Sequence, residues 1–122
     1  MEYITNHDKI VDHIMMCCPP GWHNLALELH AGIYRIDPEY KLDQIKEKFG
    51  GLRYYVSLSE GLSDGDRAFI NVMIDAAEKT SYETCEECGK FGDLRSDIGW
   101  ARTLCEEHYI EVVAKQKEWK NV

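Results

Sequence analysis

The chain has 122 residues and a net charge of −8, with 14 Lys or Arg residues against 22 Asp or Glu residues. This length predicts a single domain over residues 1–122, because domains most often contain about 100–150 residues. The acidic balance disfavours general binding to nucleic-acid backbones or to anionic lipid.

The N-terminal third has the pattern of two helices. Thr5 or Asn6 can cap a first helix, on which apolar residues recur every three to four positions (Ile10, Val11, Ile14, Met15), and Pro19-Pro20-Gly21 ends it. A second helix is predicted from Trp22 to Ile36, with an apolar face of Leu25, Leu29, Ile33 and Ile36. Asp37-Pro38 ends this helix, because a residue before proline avoids the helical region.

Residues 40–58 fit two structures. Leu42, Ile45 and Phe49 have the spacing of a helical stripe, whereas the segment from Leu52 to Leu58 alternates apolar and polar residues as a strand does. A lone strand is unstable, and residues 41–48 are its nearest partner. We therefore predict a β-hairpin whose turn uses the positive φ angles available to Gly50-Gly51.

A third helix is predicted to begin at Ser63, which has Asp66 three positions later in a pattern similar to a capping box. Its predicted apolar face consists of Phe69, Val72, Met73, Ala76 and Ala77. Helical periodicity stops near Ser81. We expect a helix-and-hairpin part over residues 1–80 and a subdomain over residues 81–122 that share one core.

Three cysteines and one histidine form the strongest chemical signal in the chain. Cys85, Cys88, Cys105 and His108 have the spacing C-x2-C-x16-C-x2-H. Each two-residue gap allows a pair of side chains to bind one metal ion, and four such donors complete the tetrahedron that structural Zn²⁺ prefers. The sequence therefore predicts a structural zinc site with no open position for water.

The segments around these pairs predict a small finger. Two short strands are expected at residues 94–96 and 100–103, with a turn at Asp97-Ile98-Gly99 between them. The second metal-binding pair would begin an amphipathic helix, whose apolar side carries Tyr109, Val112, Val113 and Trp119. A knuckle, a hairpin and a helix in this order resemble the treble-clef class of zinc fingers. The predicted fold class is α+β.

Two segments extend the resemblance beyond the finger: QIKEKFGGLRYYV, from Gln44 to Val56, and CGKFGDLRSDIGWARTLCEEH, from Cys88 to His108. Together they resemble a group of small bacterial, phage and prophage proteins of unassigned activity. Those proteins combine a K-x-K-F-G-x-L-R segment with a C-terminal finger. The resemblance implies a zinc-bearing module and provides no catalytic residues.

The hairpin also carries a local group of candidate binding residues: Lys46, Lys48, Arg53 and Tyr55. One interpretation is a nucleic-acid contact in which lysines bind phosphates and tyrosines stack on bases. The other is structural: lysine stems cover apolar surface, Arg53 pairs with a carboxylate and alternate tyrosines pack inward. Trp22 and Trp100 are predicted to be core anchors.

The chain contains no phosphate-binding glycine loop, no G-x-S-x-G elbow and no H-E-x-x-H helix, so we expect no enzymatic activity. Cys17 and Cys18 fit small apolar residues at a helix end. The favoured hypothesis is a cytoplasmic binding module without a membrane span that antagonises a basic partner protein, as an inhibitor or immunity-type protein does. The alternatives are a nucleic-acid-associated finger protein and a metalloenzyme.

Overall fold

The computed structural model describes residues 4–120 and confirms the predicted α+β class. Its helices are α1 (His7–Cys17), α2 (His23–Ile36), α3 (Asp64–Ser81) and α4 (Glu106–Lys120). Its strands are β1 (Lys41–Lys48), β2 (Gly51–Ser57), β3 (Asp93–Arg95) and β4 (Arg102–Leu104). No helix in this range combines the length and hydropathy needed to cross a bilayer. The predicted position of the Trp119 side chain falls outside the described part.

The predicted helix starts are confirmed by their caps. The side chain of Asn6 accepts a 3.0 Å hydrogen bond from the backbone N–H of Lys9, and that of Ser63 accepts one of 3.1 Å from Asp66. Each bond satisfies one of the backbone donors that a helix start leaves unpaired. Cap chemistry therefore determines where α1 and α3 begin.

Residues 41–57 form the predicted hairpin, and the helical alternative for this segment is wrong. Strands β1 and β2 pair antiparallel, with Ile45 opposite Tyr54 and Lys46 opposite Arg53. The turn lies one residue earlier than predicted, because Phe49 and Gly50 have the positive φ angles, 55° and 85°. Gly51 instead begins β2, where an added Cβ would collide with the ring of Tyr82.

Helix α3 lies along the outer edge of β2. The backbone N–H of Leu52 points away from β1 and donates a 2.8 Å hydrogen bond to the Ser81 hydroxyl. One turn earlier on α3, Glu78 forms an ion pair with Arg53. The helix thus protects an edge that would otherwise expose unpaired backbone groups.

The predicted apolar face of α3 is wrong at three of its five positions, because Phe69, Val72 and Ala76 are exposed. The buried face is centred on Ile70 and Ala77, with Met73, Ile74 and Ser81 beside them. Both stripes have helical spacing. Contact with α2 and β2 selects between them, and Met73 on the chosen side packs against Gly32 of α2.

Two apolar clusters organise the molecule. The larger joins α1, α2, α3 and the first hairpin, and its fully buried side chains include Ile10, Ile14, Trp22, Ile33, Leu42, Leu52 and Ile70. The smaller lies in the finger and contains Cys85, Ile98, Leu104 and Cys105, with Tyr109, Val112 and Val113 packed against it. The prediction for Trp22 is confirmed.

The second hairpin has a longer connection than predicted. Strands β3 and β4 are separated by residues 96–101 rather than by a three-residue turn. Within this loop Ile98 is buried, whereas Trp100 is 60% exposed. The prediction of Trp100 as a core anchor is wrong, because Ile98 fills the finger core instead.

Candidate metal centre

The first pair of candidate ligands lies on a tight turn. The backbone N–H of Gly89 donates to the carbonyl of Cys85 at 2.9 Å, and the N–H of Cys85 donates to the carbonyl of Lys90 at 2.7 Å. Gly89 has φ = 81°, a conformation that glycine adopts without steric cost. The predicted knuckle is therefore formed, and it brings Cys85 and Cys88 to the same side of the chain.

The second pair lies where β4 meets α4. Cys105 directly precedes the helix, and His108 lies in its first turn. The backbone N–H of His108 donates to the Cys105 sulfur and, with the side-chain contact to His108, lowers the pKa of this thiol to about 7. A helix N-terminus thus favours the thiolate, which is the form that binds metal.

The four side chains come together. One donor atom from each lies within 4.8 Å of the others. The Cys88 and Cys105 sulfurs are 3.8 Å apart, and His108 Nδ1 lies 3.6 Å from the Cys85 sulfur and 3.2 Å from the Cys105 sulfur. Metal–donor bonds of about 2.0–2.3 Å place tetrahedral donors about 3.3–3.8 Å apart, so two of these three spacings fit one ion and the 3.2 Å spacing is slightly shorter.

Protons compete with a metal ion at this centre. The Cys105 sulfur beside the His108 ring, and the Cys85 sulfur with it, raise the pKa of the imidazole in the metal-free site. A bound cation needs the same nitrogen deprotonated, so metal binding releases a proton from His108 when that proton is present. The nitrogen of His108 that faces the Cys85 and Cys105 sulfurs is Nδ1, so the metal would bind there and not at Nε2.

Arg102 connects the finger strands to the knuckle. Its Nε and Nη2 atoms each lie 2.6 Å from a carboxylate oxygen, of Glu86 and Glu87 respectively. The second Glu86 oxygen is buried without a hydrogen-bond partner, and burial raises the pKa of this carboxyl despite the nearby guanidinium. Arg102 therefore holds two acidic side chains beside Cys85 and Cys88.

A cleft of about 770 Å³ opens beside His108, between the 96–101 loop and α4. Gln116 of α4 donates a 2.7 Å hydrogen bond to the carbonyl of Ile98, and the Tyr109 hydroxyl donates to Asp97. These bonds hold the loop against the helix, so the cleft is formed in the free chain. Its lining includes Trp100, three acidic residues (Glu87, Asp97, Glu111) and two basic residues (Arg102, Lys115).

The candidate binding residues on the first hairpin share one face, because Lys46 is paired with Arg53 and Tyr55 lies two positions along β2. Lys48 is exposed, and its Nζ lies 5.7 Å from the centre of the Phe49 ring. Arg53 forms an ion pair with Glu78 and a 3.3 Å hydrogen bond with the Tyr82 hydroxyl. Its predicted pairing with a carboxylate is confirmed.

The predicted inward packing of alternate tyrosines is confirmed for Tyr54, which is buried, whereas Tyr55 on the opposite face is exposed. Tyr54 belongs to a hydrogen-bonded chain that also includes His7, His30 and Tyr40. Sequence reasoning gave the two histidines no role. They lie 23 positions apart, and no local motif indicates that they meet.

A scan against protein-family models, a search of curated proteins and a search of solved structures each found no match to this chain. The geometry of the site therefore carries the functional argument. It provides four converging metal donors and, next to them, an acidic cleft with an exposed indole.

Proposed function

We propose that the chain is a zinc-stabilised binding module that docks onto a basic partner protein and acts as an inhibitor or immunity-type antagonist. The observation that carries the proposal is the exposed Trp100 side chain in an acidic cleft beside the metal centre. Tryptophan is enriched among the residues that dominate binding energy at protein interfaces. With 60% of its surface exposed, Trp100 has most of its area still available for contact with a partner.

Zinc is the metal that this donor set favours. Three thiolates and one imidazole at tetrahedral spacing are typical of structural zinc sites. Four protein donors fill the coordination sphere, so the ion would stabilise the fold and would have no position for a substrate or an activated water. We therefore expect the module to bind rather than to catalyse.

The charges at the cleft favour a cationic ligand group. Arg102 is already paired with Glu86 and Glu87, which leaves Asp97, Glu111 and Lys115 as the other charged side chains of the lining. Glu111 has no ion pair among the described residues. A Lys or Arg side chain of the partner could lie over the Trp100 ring, where cation–π attraction adds to the carboxylate charges. The overall charge of −8 would steer a basic partner toward this surface.

Peptide titration tests the cleft directly. Lysine- and arginine-containing peptides are added to isotopically labelled protein, and the indole N–H signal of Trp100 is followed by NMR. We expect saturable shifts at Trp100 that weaken with added salt, and Trp100→Ala should reduce affinity about tenfold. Phe91→Ala is the matched control, because Phe91 is 71% exposed and does not line the cleft.

Capture of a partner at two salt concentrations then tests the protein-level proposal. The partner should carry net positive charge, bind wild type and the Phe91→Ala variant alike, and be lost with Trp100→Ala. Equal capture by both variants, or peptide shifts that do not include Trp100, would exclude the cleft as the docking site.

The nucleic-acid alternative has less support. It relies on Lys46, Lys48 and Arg53, and the Arg53 charge is neutralised by Glu78. A mobility-shift assay with single-stranded nucleic acid at low salt tests it. The metalloenzyme alternative requires that one of the four ligands be displaced, and His108→Ala separates the two roles: a structural metal site loses the fold, whereas a catalytic site keeps the fold and loses activity.

A phage or prophage association follows from the resemblance of the hairpin and finger segments. Contact between these segments supports treating them as one unit: the Thr103 hydroxyl donates a 2.6 Å hydrogen bond to the carbonyl of Gly50, and Leu94 lies against the same glycine. Neighbouring phage, toxin or defence genes in the genome of origin would support the antagonist role. Neighbours confined to metabolic enzymes would count against it.

A further inference from the structure

A continuous chain of hydrogen bonds runs from the protein surface into the main core. His7 Nδ1 lies 2.9 Å from His30 Nε2, His30 Nδ1 lies 2.7 Å from the Tyr40 hydroxyl, and the Tyr40 and Tyr54 hydroxyls are 2.7 Å apart. His7 is exposed on α1, whereas His30 on α2 is only 1% exposed. The chain thus connects the first turn of α1 to the buried face of the first hairpin.

Donor counting sets the direction of this chain. If Tyr54 donates to Tyr40, Tyr40 donates to His30 Nδ1, and His30 Nε2–H donates to His7 Nδ1, every buried proton has an acceptor. The reverse direction leaves the buried Tyr54 hydroxyl proton without an acceptor among the described residues, which is costly. Burial raises the pKa of Tyr40 and of Tyr54, so both hydroxyls keep their protons at neutral pH. The Nε2–H tautomer of neutral His30 therefore satisfies the whole chain.

We propose that the His7–His30 contact is a pH-sensitive latch, which holds the start of α1 against the core at neutral pH and releases it on acidification. Protonated His7 carries a hydrogen on Nδ1 and can no longer accept from His30. When both rings are protonated, two N–H donors and two positive charges face each other across 2.9 Å. The hydrogen bond then becomes a repulsion.

The side chains that contact the two rings in the described part of the chain are aromatic. The ring centroids of His7 and His30 are 5.0 Å apart, and the Tyr34 ring of α2 lies 5.4 Å and 5.6 Å from those two centroids. Tyr40 and, behind it, Tyr54 of β2 continue this set of titratable groups, and the buried Cys18 thiol lies near enough to Tyr54 to raise its pKa further. No carboxylate or basic side chain forms a hydrogen bond or ion pair with either ring in the described range.

The sign of the pH effect follows from the buried ring. Burial, together with the neighbouring His7, lowers the pKa of His30 below its usual value of about 6.5. At His30, the folded state therefore binds fewer protons than the unfolded state in this region of pH. The stability that neutral His30 contributes is present above about pH 6.5 and is lost as the pH falls below that value.

Release of the latch would affect more than one side chain. The polypeptide segment just before α1 is held to the sheet by two 2.9 Å backbone hydrogen bonds between Ile4 and Leu42. Inside α1, Ile10 and Ile14 pack in the main core. Opening at His7 would therefore first weaken the backbone pairing between Ile4 and Leu42. If the opening continued along α1, it would expose the apolar side chains of Ile10 and Ile14.

Amide hydrogen exchange measures this opening. Protection factors of α1 amides are compared at about pH 7.5 and about pH 5.5, values on either side of the ordinary histidine pKa. We expect the α1 protection factors of wild type to fall by at least about tenfold more than those of His7→Gln between the two pH values. A tenfold change is the effect of a pKa difference of one unit. His13→Gln, which removes another histidine from the same helix, is the matched control and should behave as wild type does.

The metal ligands also take up protons on acidification, but they are common to all three proteins and cancel in this comparison. Equal pH dependence in wild type and His7→Gln would overturn the proposal. If His7→Gln fails to fold, the nitrogen shifts of the wild-type His30 ring provide the test. They should show the neutral Nε2–H tautomer at about pH 8, and either the Nδ1–H tautomer or a charged ring at that pH would also overturn it.

Discussion

The backbone N–H of Gly21 donates a 2.7 Å hydrogen bond to the carbonyl oxygen of Glu86. This bond joins the turn between α1 and α2 to the knuckle that carries Cys85 and Cys88. Nearby, the Trp22 indole N–H donates a 2.8 Å hydrogen bond to the carbonyl of Thr84. The candidate metal centre is thus tied to the main core at the point where the first two candidate ligands are positioned.

Gly21 tolerates no side chain at this contact. A Cβ added there would collide with the carbonyl oxygen of Cys85. The same Cβ would lie 2.6 Å from the Glu86 carbonyl carbon and 2.7 Å from the Gly89 nitrogen. These are backbone atoms, which cannot rotate away. We expect Gly21→Ala to lower the free energy of unfolding by about 3 kcal/mol or more, measured by urea denaturation. Gly61→Ala is the control: no atom lies within 4 Å of a Cβ there, and the change should be neutral or stabilising by up to about 1 kcal/mol.

Metal removal should destabilise the whole chain. Structural zinc contributes about 10–16 kcal/mol of apparent binding free energy in finger peptides, which is comparable to or larger than the total stability of a typical domain. We expect purified protein to contain one zinc ion per chain and chelation to unfold the finger, with a lower melting temperature for the helical part as well. Metal analysis and circular dichroism measure both effects.

Cysteine variants provide the control for this experiment. Cys105→Ser should lose the metal, whereas Cys17→Ser should retain one equivalent, because Cys17 is exposed and lies outside the cluster. Chelated protein with an unchanged melting temperature would contradict a structural role for the ion.

Thr103 provides a second link between the finger and the rest of the molecule. Its hydroxyl is fully buried and donates to the carbonyl of Gly50 in the first hairpin turn. Thr103→Val keeps the side-chain volume but removes this donor, so we expect a loss of about 1–3 kcal/mol in urea denaturation. Thr84→Val makes the same chemical change at a hydroxyl exposed to solvent and should alter stability by no more than about 0.5 kcal/mol. Equal losses of stability in the two variants would contradict the prediction that burial makes the Thr103–Gly50 hydrogen bond costly to remove.

Phe49 occupies a backbone conformation that disfavours it. Its φ of 55° lies in the left-handed region, and its side chain is 68% exposed, so few contacts compensate for the strain. We expect Phe49→Gly to raise the free energy of unfolding by about 0.5–1 kcal/mol, the strain relieved minus the added freedom of glycine in the unfolded chain. Gly50→Ala should have the opposite effect, because its φ is 85° and Leu94 blocks the added methyl group. A less stable Phe49→Gly variant would mean that the phenyl ring makes contacts that outweigh the strain.

The sequence by itself determined the features that depend on neighbours along the chain. Asn6 and Ser63 predicted helix starts through cap chemistry, and alternation from Leu52 to Leu58 predicted a strand. The C-x2-C and C-x2-H pairs predicted metal donors, because two intervening residues on a turn or a helix bring two side chains together. These signals are local, and the physics that produces them acts within a few residues.

Only the tertiary structure decided which apolar side chains are buried. Ile70 rather than Phe69 faces the core from α3, and Ile98 rather than Trp100 fills the finger, because each choice depends on the shape of a surface built from distant residues. The contact between His7 and His30, and the contact between Gly21 and the knuckle, likewise depend on residues that are distant in the sequence. Such contacts join positions far apart in the chain, and periodicity within one segment contains no information about the partner that the segment will meet.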